Sequence, residues 1–209
     1  MLDLNLATLL ARVFVLVVAF TIHEFAHAWT AVYLGDETPR LQGRLTLNPL
    51  AHLDPVGSLL LVVAGFGWAK PVQVNPYTLA RRSPYAYMWV ALAGPLSNLF
   101  LAALGAQIFR FGLAQPSFTT SGVLPSLDLI MTEFVFINLI LLFFNLIPLY
   151  PLDGEKVAQA LFPPSWGEAL DRIRPYSSMI LLGIVFLAPQ VFGFLVGQPA
   201  GFLFRLLIG

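Results

Sequence analysis

Long apolar runs alternate with shorter polar connections along this chain, and the pattern predicts an all-α polytopic membrane protein. A helix that spans a bilayer needs about 20 predominantly apolar residues. Four stretches reach this length, and we predict transmembrane helices over residues of about 6–34, 86–111, 127–149 and 177–196. The apolar tail 202–208 is too short to span alone. We expect a single membrane-embedded domain over residues 1–209.

The connection over 36–84 differs from the rest of the chain because it carries six prolines. Its fragments 43–49 and 69–76 each end in Asn-Pro, and they are predicted as two short strands that pair as a hairpin-like edge. The stretch 56–67 is apolar but has only about 12 residues, which favours a re-entrant or surface-lying element over a full crossing. The predicted fold is therefore helical, with one irregular, β-hairpin-like insertion.

The cationic residues predict the orientation of the helices. Of the 11 Lys and Arg residues, all but Arg12, Arg110 and Arg205 fall in the connections after the first and third spans. By the positive-inside rule these two connections are cytoplasmic, so both chain ends face outward. The irregular insertion then lies on the cytoplasmic side.

Composition supports a membrane protein independently of the helix pattern. The chain is 58% hydrophobic and only 11% charged, which leaves too little polar surface for a water-soluble globule. Its formal net charge of +0 gives no electrostatic footprint for nucleic acid, so nucleic acid is not an expected partner. The chain has no cysteine, so a metal ion would be held by nitrogen and oxygen ligands.

The first predicted span contains the pentapeptide His23-Glu24-Phe25-Ala26-His27. Residues four apart on a helix share one face about 6 Å apart, so the two histidines can bind one metal ion with the glutamate beside it. Each ionisable group inside a membrane helix costs about 2.5–3.5 kcal/mol on insertion scales. Three such groups need a compensating partner, and a metal ion with a further ligand is an effective one.

A hydrolytic zinc site uses three protein ligands and leaves a fourth position for water. Asp153 follows two helix-breaking prolines at the cytoplasmic end of the third span, at the depth of the histidines. His52 and Asp54, in the irregular insertion, are alternatives. The same nitrogen and oxygen set also accepts cobalt or manganese.

Two further motifs follow the histidine pair: Gly-Pro-Leu-Ser-Asn at 94–98, and Asn-Leu-Ile-Pro at 145–148, which leads to Leu-Asp-Gly at 152–154. With these three motifs in this order, the chain resembles the site-2 protease family of intramembrane zinc metalloproteases. The resemblance runs from the first span to the third. It is closest to the minimal form, without the PDZ or cystathionine-synthase-type domain of longer members.

The resemblance implies that three residues hold one Zn²⁺ ion: His23, His27 and Asp153. It also implies that Glu24 is the general base, that Asn145 lies near the substrate carbonyl, and that Asn98 lies close to the active site, where it contacts substrate or gates access. His52 is expected to be either a hydrogen-bonding strut or a residue that gates access to the metal. The implied reaction is regulated intramembrane proteolysis of transmembrane protein substrates in the lipid bilayer. The implied location is the inner membrane of a prokaryotic cell, with the active site towards the cytoplasm.

Two other functions use the same ligands. A metal transporter would also carry acidic and imidazole groups within its spans, but it usually shows repeated halves. A non-catalytic membrane scaffold would be expected to lose the base or a ligand. Asn98 and Asn145 can also serve only to join neighbouring helices, which is a common use of amides in membranes.

Overall fold

The computed structural model describes residues 5–57, 68–120 and 122–209. The helices in these ranges are α1 (Leu6–Tyr33), α2 (Thr38–Leu41), α3 (Pro76–Arg82), α4 (Ala86–Arg110), α5 (Leu127–Asn145), α6 (Asp153–Leu161), α7 (Pro164–Ile173), α8 (Ser177–Leu182) and α9 (Pro189–Ile208). Short 3₁₀ turns lie at Pro49–Ala51 and Arg174–Tyr176, and wider π-type turns at Gly183–Leu187 and, within α9, Gly193–Gly197.

Within the described residues, four helices are long and apolar enough to cross a membrane: α1, α4, α5 and α9. This confirms the predicted all-α polytopic fold. Their ends follow local sequence. The Asn5 side chain accepts a hydrogen bond from the Thr8 N–H at 2.7 Å and so caps the start of α1. In the same way, the Ser126 hydroxyl accepts a hydrogen bond from the Leu129 N–H at the start of α5. Gly35 takes a left-handed φ of 96° directly after α1, a conformation that favours glycine.

Small residues allow the three central helices to pack closely around the site. The buried face of α1 is dominated by alanines, which bring its backbone near α4 and α5: Ala7, Ala11, Ala19, Ala28 and Ala31. On the other side of α4, Ala102 and Ala106 pack with Val135 and Leu139 of α5 and with Phe204 of α9. The bundle therefore holds α1, α4 and α5 at short separation.

The bounds predicted for the fourth span were wrong. The helix that is long and apolar enough to span runs over Pro189–Ile208 instead of 177–196, and it includes the tail that was judged too short. Proline lacks the N–H that would continue the preceding helix but suits the first turn of a new one. The backbone at Ala188, with φ −128° and ψ 60°, leaves the helical region at this junction. The third span also ends earlier than predicted, at Asn145.

The two strands predicted at 43–49 and 69–76 do not form. In the part of the chain that the structure describes, the one β-bridge joins Leu53 to Ala69, and the Lys70 N–H donates to the His52 carbonyl at 2.7 Å. The backbone groups that strands would pair are bound by side chains instead, as described below for 69–75. Most of the predicted re-entrant element at 56–67 lies outside the described residues.

Candidate metal centre and active site

The two histidines of α1 face one carboxylate that begins α6. The Nε2 atoms of His23 and His27 lie 3.0 Å apart. Asp153 places Oδ2 at 3.3 Å from the first of these nitrogens and Oδ1 at 3.3 Å from the second. All three side chains offer ligand atoms within 4.8 Å of one another. The structure therefore brings together the three residues that the sequence pointed to as metal ligands.

Two glycines make this approach possible. A Cβ on Gly94 of α4 would collide with Nε2 of His27 and lie 2.6 Å from Nε2 of His23, so only glycine lets α4 approach the two ligand nitrogens this closely. A Cβ on Gly154 would collide with the backbone carbonyls of Leu146 and Ile147. The chain between α5 and α6 thus folds back tightly against the end of α5, and this turn carries Asp153 to the histidines.

Hydrogen bonds from the Nδ1 atoms fix both imidazole rings. Nδ1 of His27 lies 2.7 Å from the Val90 carbonyl, and Nδ1 of His23 lies 2.7 Å from Oδ1 of Asn98. These oxygens only accept hydrogen bonds, so each Nδ1 donates, and in a neutral imidazole the lone pair for a metal ion is then on Nε2. Such outer partners orient metal-binding histidines and raise their basicity.

A buried amide chain continues this support into α5. The Asn98 Nδ2 atom donates to Oδ1 of Asn138 at 2.9 Å, and Asn138 Nδ2 donates to the Phe134 carbonyl at 2.8 Å. Both amides are 0% exposed. Sequence reasoning placed Asn98 at the substrate or the gate and missed Asn138. An amide in the middle of an apolar span is a signal that could have identified it.

The donor set fits a divalent cation. Two imidazole nitrogens and a carboxylate oxygen form a common ligand set for catalytic zinc. Oδ2 of Asp153 is buried without a hydrogen-bond partner in the described structure, although it lies within ion-pair distance of His23. Such a carboxylate facing two imidazole nitrogens is the arrangement that a cation would complete.

Glu24 is next to the first histidine and is engaged by a segment far away in sequence. Its Oε2 atom accepts the Val72 N–H at 2.9 Å. Val72 belongs to residues 69–75, which form neither helix nor strand and which we call the strap. The glutamate is 8% exposed, so its carboxylate is buried beside the candidate ligands.

The remaining candidates make hydrogen bonds with residues outside the ligand cluster. His52 is 0% exposed, and its Nε2 atom lies 2.7 Å from the Thr46 carbonyl, a contact typical of a strut. Asp54 caps the turn that follows it through the Val56 and Gly57 N–H groups. At the last residue of α5, the Asn145 Nδ2 atom donates to the Leu141 carbonyl at 3.0 Å.

Comparison with known proteins gives an independent result. The chain is 40% identical to "Putative zinc metalloprotease YwhC" of Bacillus subtilis over 181 residues, which is 85% of this chain and 80% of the relative. It is 34% identical to "Putative zinc metalloprotease Rip2" of Mycobacterium tuberculosis over 202 residues, which is 90% of this chain and 72% of that relative. No protein-family model and no solved structure match the chain. The resemblance inferred from the three motifs is confirmed: the chain belongs to the site-2 protease family of zinc metalloproteases.

Proposed function

We propose that the protein is an intramembrane zinc endopeptidase that hydrolyses peptide bonds within or near the transmembrane segments of other membrane proteins. The observation that carries the proposal is the convergence of His23, His27 and Asp153 within 4.8 Å, with the two histidines on a helix that is apolar enough to span a membrane. The names of its relatives support zinc and proteolysis. The bilayer and transmembrane proteins are the partners this function requires.

In this proposal, the two histidines and Asp153 hold the zinc ion. When bound, Zn²⁺ supplies Lewis acidity that activates water near neutral pH and polarises the substrate carbonyl. Glu24 accepts the proton of the attacking water and passes it to the leaving amine, as the C–O bond forms and the C–N bond breaks. The Val72 N–H donates a hydrogen bond to Oε2 of Glu24. In this proposal, Oε1 is therefore the oxygen that takes the proton from the water.

Asn145 is the proposed donor to the developing oxyanion. One hydrogen of its Nδ2 group is used by the Leu141 carbonyl, and the second hydrogen remains for substrate. A donor of this kind typically contributes a factor of about 10²–10³ to kcat. Its position at the end of α5, eight residues before Asp153, supports this role.

We place the active site near the cytoplasmic surface of a prokaryotic inner membrane. Eight of the 11 cationic residues lie in the two connections on this side. His27 precedes the end of α1 at Tyr33 by six residues, which is about 9 Å along a helix axis. Backbone amides of a substrate helix are already hydrogen-bonded, so the substrate must unwind locally before its carbonyl reaches the metal.

Glu24→Gln tests the proposed function. The substitution keeps the side-chain volume and removes the base, so the variant should retain zinc and lose cleavage of a tagged transmembrane substrate in liposomes. Zinc is measured by elemental analysis and cleavage by gel. If the variant cleaved at the wild-type rate, Glu24 would not be the base and the proposed mechanism would be wrong. If the wild-type protein itself did not cleave, a scaffold or transporter role would be favoured.

A further inference from the structure

The strap crosses the active site and is fixed at three points by groups from elsewhere in the chain. Near its start, the Lys70 N–H donates to the His52 carbonyl at 2.7 Å. At its end, the Asn75 N–H donates to Oδ2 of Asp36 at 2.6 Å, and Asp36 is 1% exposed. In its middle, the Val72 N–H donates to Glu24. The position of this central N–H is therefore set by the structure around the strap.

Arg44 is a buried cation that binds carbonyl groups of the strap, whereas Glu24 binds an N–H group. It is 5% exposed, and no carboxylate of the described chain lies within ion-pair distance of it. Its guanidinium donates to three backbone carbonyls, those of Ala51, Lys70 and Pro71. Burial lowers the pKa of Arg44, whereas the negative charge of Glu24 raises it. A buried charge must be compensated by such dipoles, because an uncompensated one is strongly destabilising.

Arg44 and Glu24 bind the two ends of one peptide group. The Pro71 carbonyl and the Val72 N–H belong to the same planar unit, which is trans. Nη2 of Arg44 lies 2.8 Å from the Pro71 oxygen, and Oε2 of Glu24 lies 2.9 Å from the Val72 nitrogen. A cation at the oxygen and an anion at the N–H polarise the peptide in the same direction, so each hydrogen bond strengthens the other.

We propose that Arg44 is a positioning residue for Glu24, acting through the 71–72 peptide. The inference rests on the proposed function and adds a residue from the irregular insertion to it. By orienting the peptide, the guanidinium holds Oε2 of the glutamate and so keeps Oε1 directed at the water. Without this link the carboxylate can rotate, and small displacements of a reacting group cost large factors in rate.

Arg44→Ala tests the proposal in the full-length enzyme with a tagged transmembrane substrate. A hydrogen bond that involves a charged group corresponds to a factor of about 10–100 in rate, so kcat should fall by about that factor. KM and zinc content should stay near wild type, because Arg44 contacts none of the proposed ligands. The matched control is Arg40→Ala, which removes an exposed arginine of the same connection that pairs with Glu37. This control should keep the wild-type kcat.

Val72→Pro is a second, independent route to the same peptide, because it removes the N–H that Glu24 accepts. Val72→Ala keeps the N–H and measures how much of any loss in kcat comes from the valine side chain. If both residues act on one peptide, Val72→Pro should lower kcat as much as Arg44→Ala, and the double variant should be no slower than either single variant. Should Arg44→Ala fail to fold, as judged by melting temperature, the inference is judged on Val72→Pro. A lowered kcat in that variant supports the inference, and a wild-type kcat overturns it.

Three results would overturn the inference: a wild-type kcat in a folded Arg44→Ala enzyme, effects of the two substitutions that multiply, or a rise in KM with unchanged kcat. The last result would mean that the strap serves substrate binding alone. These results presuppose a wild-type enzyme that cleaves and a Glu24→Gln variant that does not. A failure of that pair would instead contradict the proposed function.

Discussion

Gly94→Ala should weaken zinc binding by a steric effect that can be worked from the structure. The added Cβ would lie closest to Nε2 of His27, and 2.6 Å from Nε2 and Cε1 of His23. Carbon contacts are optimal at about 3.5–4.0 Å, so α4 and the imidazole must separate by about 1 Å. Metal sites tolerate deviations of only about 0.2 Å in ligand distance. The separation also stretches the bond between His23 and Asn98, which fixes the ring.

The free energy of zinc binding should weaken by about 1–3 kcal/mol, the usual cost of overpacking. This corresponds to a factor of about 5–150 in zinc affinity. The assay is competition with a chelator of known affinity, using purified protein in detergent. Gly105→Ala is the matched control on the same helix, because its Cβ would meet the Phe134 ring at 2.7 Å, away from the metal centre. This control should lower the melting temperature and leave zinc affinity unchanged. Wild-type zinc affinity in Gly94→Ala would refute the reasoning.

Three further substitutions test separate parts of the account. Asn138→Leu removes the acceptor for Asn98, and zinc affinity should fall by about 10–100-fold in the chelator assay, the usual effect of losing a residue that orients a metal ligand. Unchanged affinity would show that the amide chain does not support His23. Asn145→Ala should lower kcat by about 10²–10³ with zinc content unchanged, and a wild-type kcat would remove it from the oxyanion site. Arg12→Met breaks the pair in which Nη2 of Arg12 lies 2.9 Å from Oε1 of Glu133. The free energy of unfolding should fall by about 3 kcal/mol. This is the lower end for buried pairs, because the arginine side chain is 31% exposed. The melting temperature should therefore drop, and it should recover when Glu133→Gln is added; an unchanged melting temperature in Arg12→Met would contradict this.

The ligand set could be predicted from sequence because each part of it is local. The spacing of His23 and His27 places them on one helix face whatever surrounds them. Asp153 follows a span and a pair of prolines, and this returns it to the depth of the histidines. The glycine motif at 94–98 could be recognised, but its close approach to His23 and His27 became visible only with α4 in place.

The strap and its supports could not be predicted, because they depend on contacts between distant segments. The link from Val72 to Glu24 joins residues 48 positions apart, and nothing in the local pattern at 69–76 distinguishes it from a strand. The two strand-like fragments that end in Asn-Pro favoured a hairpin, but side chains of Arg44, Asp36 and Glu24 bind the backbone groups that a hairpin would pair. The fourth span was misplaced because hydropathy alone did not weigh the break at Pro189.

Zinc K-edge X-ray absorption on the purified protein tests the central claim most directly. The claim is that two imidazoles of α1 and a carboxylate of α6 bind one divalent cation. The account predicts about one zinc per chain, with nitrogen and oxygen neighbours at about 2.0–2.2 Å and the outer scattering of two imidazole rings. The account would be contradicted by protein that binds no zinc, or by a zinc shell that is unchanged in a His23→Ala, His27→Ala variant.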